Sequence, residues 1–439
     1  MNKHKVRLFV LAIYLLIILL PLIVMMVFPM PAGRDFWRDL SVALGFVGLS
    51  MAGLQFIPTA RLRIMADVFD MDHIYKVHHY LSVVSVFLVL LHPIILIINN
   101  PYTLLLLNPL TAPWRAQAGL IGLVSLLLIA VTSVLRKEIR LGYNAWHGIH
   151  DLLAAVIAVF ALIHIFKVNY YSSTSVVRWV WIFEALIWGG MTVYMRLLKP
   201  IQLLRTPYIV KKVIEEARDT WTIVLNPKGH AGLNFNPAQV AWINIDTSPF
   251  TLHRNPFSIS GSAHKMDELR FSIKALGDFS SSIGSLKGGE TVFVDGPFGS
   301  FSLDDPRTKN GLVLLAGGIG AAPIMSILHT MADNKDKRPV ILFFGNYDEE
   351  YILFKNDLEK LSKQLKLKII YVLEKPKDPK KYIKGYITQD LLDKELPKNR
   401  EQLYYFVCGP LPMIEAMEDH LQNLEIPDSQ VTTEKYEMA

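Results

Sequence analysis

The chain has 439 residues, 51% of them hydrophobic, with a formal net charge of +6 and a single cysteine, Cys408. One thiol excludes an intrachain disulfide, cysteine-ligated zinc and a thiolate-held iron–sulfur cluster. Much of the basic excess flanks apolar runs, so the charge does not point to a nucleic-acid partner.

The apolar excess lies in the first 200 residues. An uncharged run of about 20 residues can cross a bilayer core as a helix, and six qualify: 8–28, 40–60, 77–98, 116–135, 145–166 and 176–195. The first is too long for a signal-peptide core and lacks a clear small-residue cleavage site, so it is read as a helix. Turn-rich "NNPYT" and "NPLTAP" separate the third and fourth. Of the basic residues flanking these runs, 14 fall on the side of the N-terminus and 5 on the other. That bias predicts a plasma-membrane protein whose N-terminus and C-terminal half are cytoplasmic.

Two of the six runs carry histidine. The third has His78, His79 and His92; the fifth has His147, His150 and His164. A spacing of 14 brings two side chains to within about 40° on one helix face, about 21 Å apart along the axis. His78–His92 and His150–His164 have that spacing, whereas His79–His92 and His147–His164 do not. The third and fifth helices run in the same direction, so His78 lies level with His150, and His92 with His164. Two facing pairs of neutral imidazoles at two depths make two bis-histidine haem sites. A lone membrane histidine is more often a packing or hydrogen-bonding group, or part of a proton path. His79 and His147 keep that reading, as interfacial residues near a haem propionate. Asp151 and Glu184 are intramembrane acids without an assigned role.

A composition shift near 198–208 ends the membrane half, 1–200. Residues 205–305 read as short alternating strands with Gly/Pro turns, "TWTIVLNP", "QVAWINID", "ELRFSIKAL" and "ETVFVDGPFG", which suggests a small β-barrel. In "HRNPFSIS", Phe257 can lie along a flavin ring, Ser258 can hydrogen-bond it, and Arg254 can reach its phosphates. Lys274, Gly277 and Ser280 belong to "IKALGDFSSSI", whose Gly turn opens a short helix able to hold a pyrophosphate. Residues 308–439 continue as an α/β domain. There "GLVLLAGGIGAAPIMSILHTM" runs from an apolar strand through Gly317, Gly318 and Gly320 into a helix, the pattern of a nucleotide phosphate turn. Cys408 ends the strand "LYYFVCGPLPM", either within reach of a nicotinamide or as a buried small residue.

The ordered set of six helices, paired histidines, "NPFSIS", "GDFS", "GPFG", "GGIGAAP" and "CGP" resembles the ferric reductase / NADPH oxidase flavocytochromes b over nearly the whole chain. The resemblance implies a six-helix transmembrane bundle followed by a cytoplasmic FAD-binding β-barrel and an α/β nucleotide-binding domain. It implies haem ligation by His78, His92, His150 and His164. It also implies FAD at Pro256, Phe257, Ser258 and the Gly277–Ser280 turn, and nucleotide at Gly317–Pro323 and at Cys408, Gly409 and Pro410. Tyr436, in "EKYEMA", corresponds to the family's aromatic that covers the flavin. The implied activity is an electron wire from NADH or NADPH through FAD and two b-type haems to O2, giving superoxide, or to ferric or cupric ions outside. The alternative is a cytochrome donating electrons to a periplasmic or extracellular partner protein; no required protein subunit is evident. The chain departs from the pattern at Asn255, where the family often has His or Arg. It departs again at "NYDEE", residues 346–350, whose acids disfavour a 2′-phosphate and so point slightly toward NADH, or toward no preference. Leu96 stands where some eukaryotic oxidases place a polar group, which weakens a dedicated O2 site. No EF-hand loop is present, so calcium control is not expected.

Overall fold

The computed structural model describes residues 3–28, 31–62, 65, 69, 71–251 and 254–435. It divides into two compact units, Met1–Pro200 and Ile201–Ala439.

The first unit is helical. Its six long helices are α1 (Lys3–Val27), α2 (Phe36–Leu54), α3 (Met71–Asn99), α4 (Trp114–Val134), α5 (Tyr143–Val168) and α6 (Ser175–Val193). All six are long and apolar enough to cross a membrane. A helix satisfies its own backbone groups, which hydrocarbon cannot do. Asp35 starts α2 by accepting the Arg38 backbone N–H at 3.0 Å. The apolar run at 40–60 does not continue as one helix. It stops at Leu54, and a short turn, Phe56–Thr59, follows around Pro58. Proline has no N–H to continue the α2 ladder, and the break leaves Gln55 as the cap. Between α3 and α4 the expected turns enclose a seven-residue 3-10 helix, Pro101–Leu107.

Small residues decide which helices touch. A Cβ on Gly48 would lie 2.9 Å from Val89, and Ser85 donates its hydroxyl to the Gly48 carbonyl at 2.8 Å, so α3 lies close along α2. Gly53 makes room for the Trp188 ring of α6, which a Cβ would meet at 1.9 Å. In the same way α5 lies along α4. The backbones of α3 and α5 hardly approach each other. α3 and α5 are also the least buried of the six, with 6% of the most apolar stretch of each buried against 17–50% for the others.

The second unit holds two sheets. The first is antiparallel, with strands β1 (Tyr208–Ala217), β2 (Thr220–Pro227), β3 (Val240–Ile245), β4 (Asn255–Ser258), β5 (Leu269–Lys274) and β6 (Thr291–Phe298) in the order β4-β3-β6-β1-β2-β5. A bridge between Ile259 and Phe271 ties the β4 end to β5, so the two edges meet and the sheet closes as a barrel. Ile223, Leu225, Ala241, Ile243, Phe271, Ile273 and Val292 fill its core.

The second sheet is parallel throughout. Its strands are β7 (Leu312–Gly317), β8 (Val340–Asn346), β9 (Leu367–Leu373), β10 (Ile383–Lys384), β11 (Tyr404–Gly409) and β12 (Val431–Lys435), ordered β10-β9-β8-β7-β11-β12. Every residue of β7 and of β11 is buried, as expected for parallel strands covered on both faces. The strand order reverses between β7 and β11. A crevice at the carboxyl ends of such strands is where open α/β sheets bind ligands.

Candidate functional site

In the helical unit the two predicted pairs meet. The His78 and His150 ring centres are 6.3 Å apart, and those of His92 and His164 are 6.4 Å apart. A metal–imidazole bond is about 2.0 Å, and the ring centre lies about an ångström behind the bonded nitrogen. Two rings clasping one metal ion from opposite sides therefore stand roughly 6 Å apart. Both pairs have that spacing.

The opposite edge of each ring is engaged through Nδ1. His92 Nδ1 lies 3.0 Å from the Ser41 carbonyl and 2.9 Å from its hydroxyl, which itself donates to the His92 carbonyl. His164 Nδ1 lies 2.7 Å from the Arg115 carbonyl. A carbonyl only accepts, so both rings carry hydrogen on Nδ1 and present the Nε2 lone pair. His78 Nδ1 meets Gln55 Oε1 at 3.1 Å, while Gln55 Nε2 donates to the Met51 carbonyl at 3.1 Å and to the Tyr14 hydroxyl at 3.2 Å. His150 Nδ1 lies 3.2 Å from the Ser133 hydroxyl, which also receives the Trp146 indole N–H. Ligating histidines almost always donate their other ring N–H in this manner. Two glycines admit the rings of the His92–His164 pair: a Cβ on Gly119 would sit 2.7 Å from His164 Nδ1, and one on Gly45 would sit 3.2 Å from the His92 ring. Ser41, Gly45, Gln55, Gly119 and Ser133 were not picked out by the sequence reading. The last polar residue of an apolar run is a visible signal, but its partner is not.

The remaining membrane histidines stand apart from these pairs. His79 is exposed and lies beside Tyr80, with ring centres 5.5 Å apart. His147 contacts Asp151 at 3.3 Å, and Asp151 is ion-paired with Arg196. Glu184 is fully buried and accepts the Ser50 hydroxyl at 2.8 Å; its second oxygen and the Trp181 and Trp188 indole nitrogens have no partner among the described residues.

In the barrel, β4 carries Pro256, Phe257 and Ser258 antiparallel to β3. The Ser258 hydroxyl is buried and without a partner among the described residues, so a bound group can complete it. Phe257 stacks on Phe279 of the following turn, with ring centres 5.9 Å apart. In that turn Ser280 is already committed: its hydroxyl accepts the Leu276 and Gly277 N–H groups, both at 2.9 Å. Lys274 ends β5 with its ammonium 6.0 Å from the centre of the Tyr351 ring. Arg254, expected to reach a phosphate, has partners within the barrel. Its guanidinium is buried, 3.2 Å from Asp295 and 2.7 Å from the Pro249 carbonyl. Asp295 sits inside β6 and needs a cation there; strand pairing, which the sequence does not display, brings the two together.

At the carboxyl ends of β7 and β11 the glycines have different tasks. A Cβ on Gly320 would strike the Cys408 carbonyl at 2.1 Å, and one on Gly317 the Met413 sulfur at 2.4 Å, so these two allow close packing. Gly318, with φ +51° and open space beside it, is the one that leaves room for a ligand. Pro323 is buried in the first turn of α7 (Ala321–Asp333). Gly409 and Pro410 adjoin Gly317. Asn346, at the end of β8, is buried, and both its amide atoms lack a partner among the described residues, so a bound group could complete them. Cys408 follows the buried reading: it is fully enclosed, with Sγ 3.5 Å from the Glu434 carbonyl. Tyr436 lies outside the described residues. The acids after β8 do not form a free negative rim. Asp348 caps the Glu350 N–H, Glu349 accepts the N–H groups of Lys377 and Asp378, and Glu350 pairs with Lys377.

Residues 44–162 match the family model of the ferric reductase like transmembrane component, and residues 314–419 match that of the oxidoreductase NAD-binding domain. NADH-cytochrome b5 reductase 1 of Candida glabrata is 33% identical over 187 residues, 42% of this chain and 65% of that protein. The reductase component of propane 2-monooxygenase from Mycolicibacterium smegmatis is 30% identical over 241 residues, 53% of this chain and 67% of that protein. The chain spans about half to two thirds of the length of the curated relatives it matches. Among solved structures, the flavohaem-like FAD/NAD-binding domain of nitric oxide dioxygenase from Vibrio cholerae is 20% identical, covering 53% of this chain and 98% of its own, with a TM-score of 0.47. The chain thus joins a ferric reductase like transmembrane component to an oxidoreductase NAD-binding domain, a combination that matches the ferric reductase / NADPH oxidase family.

Proposed function

We propose that the protein is a transmembrane NAD(P)H oxidoreductase that passes electrons from a cytoplasmic nucleotide to an acceptor on the outer face, O2 or ferric iron. The observation that carries this reading is the two facing imidazole pairs, at one spacing and at two depths. When bound, FAD converts a hydride into single electrons and two b-type haems relay them across the membrane. The chain's own residues set position and environment. His78 with His150, and His92 with His164, hold the two haem irons. Ser41, Gln55, Ser133 and the Arg115 carbonyl orient the rings. Ser258 and Phe257 receive the flavin, while Gly318 and Asn346 receive the nucleotide. The bias of 14 basic residues against 5 supports a cytoplasmic second unit. NADH is the favoured donor, since similar proteins include NADH-cytochrome b5 reductases. We expect catalytic efficiency with NADH at least equal to that with NADPH.

The test is turnover of purified protein with each nucleotide, aerobically and anaerobically, with and without superoxide dismutase and a ferric chelate. Cofactor extraction runs alongside. Two haems and one FAD per chain are expected, with a low-spin spectrum. One haem per chain, or none, would overturn the ligand assignment.

A further inference from the structure

We propose that residues 101–113, between α3 and α4, lie in the lipid interface of the outer leaflet rather than in water. The proposal rests on reading the six helices as membrane spans.

This connection differs from the other two on its side of the helical unit. It runs "PYTLLLLNPLTAP" and contains no charged residue; from Val77 through Trp114 the chain has no Asp, Glu, Lys or Arg. By contrast, the connection before α2 contains Arg34 and Asp35, and the one before α6, "NYYSST", is also uncharged but polar, with no aliphatic residue. The 3-10 helix buries none of its residues. Leu105 is 68% exposed, Leu110 90% and Tyr102 80%. Leu104, Leu106 and Leu107 are exposed as well. Contiguous apolar exposure of this kind marks a contact surface.

The choice of occupant follows from what the segment is tied to. Its two ends are continuous with membrane-spanning helices, so it cannot leave the bilayer boundary. Tyr102 and Trp114, both exposed, stand at those ends, and Tyr and Trp are the residues enriched at that depth. Its polar groups point back to the protein: Asn100 caps the 3-10 helix by accepting the Tyr102 N–H, Thr103 donates to the Leu96 carbonyl, and Gln117 donates to the Pro109 carbonyl. The remaining outward face is leucine, which suits the headgroup–acyl boundary. The segment joins the helix that carries His92 to the one whose Arg115 carbonyl holds His164. Lipid thus reaches the rim of the outer imidazole pair on this side.

The test places a nitroxide on Leu105→Cys and, separately, Leu110→Cys in the full chain, reconstituted in phosphatidylcholine/phosphatidylglycerol vesicles. Cys408 is enclosed and does not compete for the label. Collision with O2, which partitions into lipid, should exceed collision with a water-soluble nickel chelate several-fold at both positions. A label on Ser173→Cys, in the connection before α6, should show the reverse. Equal nickel access at 105 and 173 would overturn the proposal. Protection at 105 and 110 from both reagents would overturn it too, in favour of a protein surface covering the leucines. A label on Leu16→Cys in α1 separates the two readings: water access there would sink the membrane spans themselves, and lipid access there with water access at 105 would sink this inference alone.

Discussion

The two imidazole pairs, inner and outer in the proposed orientation, have nearly the same ring spacing but are held by different kinds of partner. The outer rings, His92 and His164, are oriented by main-chain carbonyls of Ser41 and Arg115 at 3.0 and 2.7 Å. The inner rings, His78 and His150, are oriented by side chains, Gln55 and Ser133, at 3.1 and 3.2 Å. A main-chain acceptor is fixed by the helix that carries it and survives most substitutions. A side-chain acceptor must be held by further contacts, as Met51 and Tyr14 hold Gln55. The outer site is thus built into helix packing, whereas the inner site is built from replaceable groups.

The largest effect tests whether the pairs are ligands at all. His164→Leu should remove the outer haem and abolish reduction of an acceptor confined to the outside. Reduction of a soluble dye at the flavin should survive, because that site lies in the other unit. Haem extraction and the two assays, run on one preparation, check it. His79→Leu and His147→Leu should leave haem content unchanged, since neither ring faces a partner histidine. Loss of haem from His79→Leu but not from His78→Leu would reverse the assignment.

Next comes Gly119→Ala. The added Cβ would fall 2.7 Å from His164 Nδ1, where the Arg115 carbonyl now sits at 2.7 Å. Overpacking of this sort costs about 1–3 kcal/mol, and here it is aimed at one ring. The outer haem should be lost or become high-spin while the inner haem keeps its spectrum. An unchanged outer spectrum would mean that α4 and α5 can separate, and that helix packing does not set the outer site.

Gln55→Leu probes the side-chain-held pair. Removing the partner of a ligating histidine typically costs 10–100-fold in metal affinity or activity. Inner-haem retention during dilution should fall by that order, with the outer haem unaffected. Tyr14→Phe should have a smaller effect in the same direction, since Gln55 would keep its bond to Met51.

How much of this was readable beforehand follows from period and distance. The 3.6-residue repeat and the spacing of 14 were sufficient to choose His78 over His79 and His150 over His147, because helix geometry is local. The strand–glycine–helix pattern at 312–333 was also readable, since both sides of the turn are adjacent in sequence. What escaped notice is non-local. Ser41 and His92 are 51 residues apart, Gln55 and His78 are 23 apart, and only tertiary packing joins them. The Arg254 contact is non-local too: Asp295, 41 residues away, pairs with its guanidinium. The acids at 348–350 were correctly seen as a cluster. That Lys377 and its neighbours would engage them needed the β9–β10 connection to fold back.

The smallest expected effect is the most direct test of the contrast between the pairs. Ser41→Ala removes a hydroxyl that lies 2.9 Å from His92 Nδ1 and donates to the His92 carbonyl. It leaves the Ser41 carbonyl in place, still 3.0 Å from Nδ1. The ring therefore keeps an acceptor on that edge and the same tautomer, with Nε2 still free to ligate. What is lost is the hydroxyl's bond to the His92 carbonyl and its contact with Nδ1, where the Ser41 carbonyl remains; a single hydrogen bond is worth about 0.5–1.5 kcal/mol net, or roughly two- to tenfold in an equilibrium constant. Outer-haem retention should drop by no more than that, and the low-spin spectrum should persist. Gln55→Leu, which leaves His78 with no acceptor in its place, should weaken the inner haem more. If Ser41→Ala strips the outer haem as readily as Gln55→Leu strips the inner one, the hydroxyl rather than the carbonyl orients His92, and the two sites are alike in construction after all.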